Sequence, residues 1–276
     1  MAQHNPELAV IFEKAYRDFH SLAHRNQDPI RLVYQYPEPK DQEIAAFLTA
    51  LLAYGGVSTI ISSVKKVLAP LGKHPQTYLT ETNLKGLWNG FYHRFTTGDD
   101  IEIVMQRIQN VLRQHGSIEN FFIKEDTQQP MKILLSSFVR RLELEPLPPH
   151  LQKISEKRSR NLKYLLSDPL RGSACKRLNL FLRWVVRPQD GIDLGLWRCL
   201  SPKQLILPVD THLLQTLKRL KWTRSEQATW KVAELATERL KFFCPEDPIR
   251  YDFALCHLSM SGHALQVPKP RGNSHA

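Results

Sequence analysis

The sequence predicts an all-α fold, and three observations predict it. Helix start and stop signals recur along the 276 residues, apolar residues return at three- and four-residue spacing between them, and strand punctuation hardly appears. Hydrophobic residues make up 42% of the chain and charged residues 24%, which is ordinary for a globular protein and too apolar for disorder. A chain of this length buries one large core or two small ones without staples.

The elements follow in order. Asn5-Pro6 reads as an N-cap with a first-turn proline, ahead of an apolar pattern from Leu8 to Phe19. Asp41 opens a helix with Ile44, Phe47, Leu48, Leu51 and Leu52 on one face, and Gly55-Gly56 ends it. Val57 to Leu71 reads as the next helix. Asp99-Asp100 starts one that carries Ile103, Val104, Ile108, Val111 and Leu112 and stops at Gly116; Pro130 starts another through Phe138. Pro146-Leu147-Pro148-Pro149 breaks the chain before a basic helical stretch that ends at Ser167-Asp168-Pro169. Ser201-Pro202-Lys203-Gln204 and Thr223-Arg224-Ser225-Glu226 read as capping boxes and Asp247-Pro248 as a third start, each launching a helix. The last helix runs from Ile249 to Ser261 and Gly262 closes it, leaving a loose tail over 267–276.

Composition narrows the function. A formal net charge of +11 favours a polyanionic partner, with nucleic acid the default. Basic residues cluster at Lys153, Lys157, Arg158, Arg160 and Lys163, at Arg177, Arg183 and Arg187, and at Lys218, Arg219 and Lys221. The longest apolar runs, such as Ala45 to Tyr54, are far shorter than a bilayer span, and a cytoplasmic protein is expected. Cys175, Cys199, Cys244 and Cys256 are widely separated and show no disulfide or metal spacing, so reduced thiols are expected. His212, His257 and His263 lack the pairing of zinc ligands, and no metal is expected.

Two segments carry chemistry. Leu170-Arg171-Gly172-Ser173-Ala174-Cys175-Lys176-Arg177-Leu178-Asn179 reads as a tight turn at Gly172 and a helix starting near Lys176, which brings backbone N–H groups and an amine to one spot. Pro208-Val209-Asp210-Thr211-His212-Leu213 puts an acid at a helix start. An amine is a nucleophile that can form a Schiff base, and a neighbouring carboxylate assists proton movement. Taken singly, Lys176 also reads as a surface lysine and Asp210 as a plain N-cap.

Together the segments resemble the helix–hairpin–helix (HhH-GPD) DNA glycosylases, whose hairpin runs Leu-Pro-Gly-Val-Gly-x-Lys-x-Ala and whose acid sits in Val-Asp-Thr-His. The resemblance implies a central helical barrel over 41–187 ending in the hairpin, a second helical subdomain from 1–40 plus 188–266, and a cleft between them. It makes Lys176 the nucleophile and Asp210 its carboxylate, and it brings Gly172, Ser173, Ala174, Arg177, His212 and Lys218 to DNA. Endonuclease III-like members carry a polar wedge where alignment here places Gly55, which leaves wedging to Tyr54. Tyr54, Trp222 or Trp184, and Asp252 are the base-pocket candidates.

The implied activity is a bifunctional DNA glycosylase/AP lyase that acts as a monomer on double-stranded DNA carrying an oxidised base, most plausibly 8-oxoguanine, without a cofactor. No iron–sulfur cluster is expected, because no cysteine follows Cys256. Arg171 and Ala174 replace the family's proline and second glycine. Lys176 and Asp210 lie 34 positions apart, nearly twice the usual separation, which is closer to the archaeal 8-oxoguanine glycosylases and to a divergent bacterial branch. A scaffold that binds DNA without turnover and a basic helical RNA-binding protein are the rival readings.

Overall fold

The computed structural model describes residues 6–123, 126–262 and 265. Asn5, His263 and the tail over 267–276, named above, lie outside the described residues. The fold is all-α, with fourteen α-helices and one two-stranded hairpin among the described residues.

Helix α1 (Pro6–Phe19) and the single turn α2 (Leu22–Arg25) lead into a 3₁₀ segment at Pro29–Gln35. Helix α3 (Pro39–Leu51) begins two residues before the predicted Asp41, and it is buried all round rather than along one face. Asp41 is fully buried within it, and its carboxylate accepts the Gln76 N–H at 2.9 Å. A helix buried on every side suits the middle of a core, not its edge.

Helix α4 (Val57–Leu68) and α5 (Pro75–Glu81) precede the hairpin of β1 (Tyr92–His93) and β2 (Thr96–Thr97). Helix α6 (Gly98–His115) starts at a Thr97/Asp100 capping box and stops at left-handed Gly116, as the sequence signals require. Helices α7 (Ile118–Phe122) and α8 (Met131–Leu144) follow. The basic stretch divides into α9 (Pro149–Lys157) and α10 (Ser159–Leu165), then α11 (Lys176–Val186) runs along α3 with Phe181 edge-on to Phe47.

The C-terminal third departs from the predicted starts. Pro202 launches only a 3₁₀ turn to Gln204. Thr223–Glu226 launches none: the Thr223 hydroxyl accepts the Ser225 N–H, the Glu226 carboxylate pairs with Lys218, and α13 (Trp230–Leu240) starts later, capped by Thr229. Asp247 is engaged by Arg187, so α14 (Asp252–Met260) begins five residues on. Helix α12 (Thr211–Arg219) and α1 both pack on α14. No helix of the described residues is long and apolar enough to cross a membrane, and all four cysteines are free.

Candidate active site

The turn before α11 is built from local polar groups. Asp168 accepts the Leu170 N–H at 2.8 Å and caps a 3₁₀ turn that Gly172 ends in the left-handed region, at φ 86°. Cys175 is also left-handed, at φ 47°, and points the chain into α11. The Ser173 hydroxyl accepts the Cys175 N–H, Asn179 donates to the Ala174 carbonyl, and the Trp230 N–H donates to the Gly172 carbonyl at 3.1 Å. The start of α13 thereby pins the turn that launches Lys176.

Asp210 is the N-cap of α12, with one oxygen accepting the Leu213 N–H at 2.8 Å. Its other oxygen lies 3.8 Å from the Lys176 Nζ, which donates to the Ala53 carbonyl at 3.0 Å. The two side chains, 30% and 21% exposed, share one cavity. The chain therefore folds two segments 34 positions apart into one amine–carboxylate pair.

The cavity holds about 770 Å³, and Tyr54, Trp184, Asp252 and Cys256 line it with the pair. That volume falls within the few hundred to about 1,000 Å³ of small-molecule sites. Burial pushes the Cys175 thiol up to about 11, and burial and then Asp210 and Asp252 raise that of Cys256, so neither supplies a thiolate beside the amine. Burial also raises the Tyr54 hydroxyl, which lies 2.6 Å from the Thr96 hydroxyl. Complete burial raises Asp252 against the opposing effect of Arg183, 2.5 Å away. Among the described residues no group of three His, Cys, Asp or Glu side chains is placed to hold a metal.

The predicted residues divide. Lys176, Asp210, His212, Tyr54, Trp184 and Asp252 all line the cavity, and Gly172 and His212 are exposed. Trp222 does not: it packs against Phe12 and Phe243, outside the cavity lining. Arg177 is buried, bonded to the Tyr164 carbonyl and held 3.9 Å from the Tyr164 ring centre, so it is not available to phosphate. Lys218 is neutralised by Glu226 at 2.5 Å. Arg183 and Arg187 are likewise internal, paired with Asp193 and Asp252 and with Asp190, Asp193 and Asp247. Charge-assisted bonds inside the fold have taken Arg177, Arg183 and Arg187 from the surface, whereas the Lys218–Glu226 pair is exposed.

Arg94, Phe95 and Tyr164 also line the cavity, and none was singled out from sequence. The run Phe91-Tyr92-His93-Arg94-Phe95, with three aromatics, a histidine and an arginine in five positions, is the signal that points to them. Only the folded hairpin carries it to Lys176.

Comparisons with curated proteins and with solved structures give no match. Residues 28–261 match a family model described as "Protein of unknown function (DUF2400)". That match spans most of the chain, which belongs to the DUF2400 family.

Proposed function

We propose that this protein is a DNA repair glycosylase with AP lyase activity, which draws an oxidised base such as 8-oxoguanine out of the duplex and excises it through a lysine Schiff base. The observation that carries the reading is the Lys176 amine 3.8 Å from the Asp210 carboxylate inside a cavity of about 770 Å³. In this reading α3 and α11 form one wall of a cleft and α12 and α14 the other. The turn over Gly172, Ser173 and Ala174 is, in the same reading, the hairpin that meets a phosphate, with the Gly172 N–H already given to the Pro169 carbonyl.

The chemistry follows from the pair. Asp210 accepts a proton from the Lys176 ammonium, and the freed amine attacks the sugar C1′ as the C1′–N bond breaks and the base leaves with its electron pair and a proton. The protonated Asp210 then returns its proton to the ring oxygen, O4′, as the C1′–O4′ bond breaks. Ring opening then gives a Schiff base at C1′, from which loss of a C2′ proton expels the 3′ phosphate. Extrusion is required because the sugar carbon is out of reach inside the stack.

Borohydride trapping on duplexes bearing 8-oxoguanine, other oxidised bases or an abasic site tests the reading. Wild type is expected to give a covalent adduct and Lys176→Gln none. No adduct with any lesion leaves the rival, a DNA-binding protein without turnover. An adduct undiminished in Lys176→Gln removes the lysine from the mechanism.

A further inference from the structure

Base release needs one proton that the amine–carboxylate pair does not supply. Asp210 takes a proton from Lys176 and returns it to O4′, so the proton that leaves with the base has another source. The cavity holds a second pair, Asp28 and His257. His257 lies on α14 and is 7% exposed. Its Nε2 is buried, makes no hydrogen bond among the described residues and faces the Asp28 carboxylate at 3.4 Å. The other Asp28 oxygen accepts the Ile30 N–H at 2.9 Å and caps the 3₁₀ segment, which fixes the carboxylate to the backbone. Phe253, one turn back on α14, lies against the imidazole with ring centres 4.2 Å apart.

A buried imidazolium needs a counter-ion, and Asp28 is one. His24 on α2 meets His257 with ring centres 5.3 Å apart. Burial first, and then the charge of His257, lower His24, so His24 is the neutral member of this histidine pair. Other donors that line the cavity are poorer. Burial raises the Tyr54 hydroxyl and the Cys256 thiol, which weakens both as acids, and Arg183 is held by Asp193 and Asp252. Beyond burial, the Cys256 thiol feels the charges of Asp210, Asp252, Lys176 and Asp28 alike, which puts the two pairs around one space.

We propose that the His257 imidazolium, held by Asp28, is the general acid that protonates the departing base. As the C1′–N bond breaks, its electron pair passes to the base and a proton moves from His257 to the base. With Nε2 against Asp28, Nδ1 is the nitrogen that gives, and the neutral imidazole takes a proton back from water once the base has left. The inference rests on the function proposed above and deepens it: His257 is a catalytic residue of base release and Asp28 positions it. It also names the substrate class. A neutral oxidised base needs this proton to leave uncharged, whereas a cationic, ring-alkylated base leaves uncharged without it.

Two rates on the same duplex separate this role from a structural one: single-turnover release of a neutral oxidised base, and borohydride trapping of a preformed abasic site, which has no base to lose. His257→Gln is expected to lower the ratio of the first rate to the second by about 10², the order of a lost general acid. Asp28→Asn keeps the cap and loses the charge, and it is expected to lower the same ratio by about tenfold, the order of one charge-assisted contact. It decides the matter where His257→Gln does not fold. A ratio that stays at the wild-type value in either folded variant overturns the proposal, because a disturbed cavity wall slows both rates alike. Wild type that traps abasic sites but releases no base removes the glycosylase, and this acid with it; wild type that does both while the ratio holds in the variants removes the acid alone.

Discussion

At the scale of single residues, Asp210 makes two contacts that one substitution pair separates. One carboxylate oxygen caps α12 through the Leu213 N–H, and the other faces Lys176. Asparagine caps a helix about as well as aspartate but cannot take a proton from an ammonium. Asp210→Asn is therefore expected to hold its unfolding free energy near wild type and to slow single-turnover base release by about 10², the lower end of what a lost general base costs. Asp210→Ala is expected to lose the same rate and about 1 kcal/mol of stability besides, since the cap goes too. If Asp210→Asn turns over at the wild-type rate, the carboxylate is a cap alone. This pair was legible in the sequence because each member sits in a local motif with its own backbone signature. The place of Trp222 outside the cavity was not legible, because nothing near it says that Phe12, 210 positions earlier, packs on it.

At the scale of elements, the same rule separates what could be read from what could not. Asp100, read as part of the start of α6, bonds to Thr97 three positions back and bounds the helix there. Glu226 and Asp247 had the right spacing for helix starts but pair with Lys218 and Arg187 instead. The longest-reaching case is the loop after α11. Asp190 accepts from His20, from the Ile192 and Asp193 N–H groups and from Arg187, tying α1, α11 and the loop together. Burial opposes its charge, but the His20 bond, Arg187 and the two N–H groups outweigh it and hold the carboxyl well below the usual carboxylate range. A depressed folded pKa means that stability is present in full above the unfolded value, about 3.9, and is lost as pH falls below it. Denaturation midpoints measured from pH 6 down to pH 3 are expected to drop below about pH 4 in wild type and less steeply in Asp190→Asn. Parallel curves would show that Asp190 is not the group that titrates.

At the scale of the whole molecule, the net charge of +11 is a weaker guide than its distribution. Arg177, Arg183 and Arg187 count toward it but are buried, and Lys218 is masked by Glu226. Arg160 and Lys163 on α10 are exposed and share an element with Tyr164 at the cavity mouth. A phosphate contact releases condensed counterions, so each one steepens the fall of log affinity with log salt by about 0.9. The double variant Arg160→Ala/Lys163→Ala is expected to lower that slope by about 1.8 and to weaken lesion-bearing and intact duplexes alike, because phosphates carry no lesion information. Lys218→Ala is expected to leave the slope where it is, since the ammonium it removes is already neutralised. Titrations across a salt series read both, and a slope that follows Lys218 instead of the α10 pair would move the DNA path from the α10 side of the cavity to the α12 side.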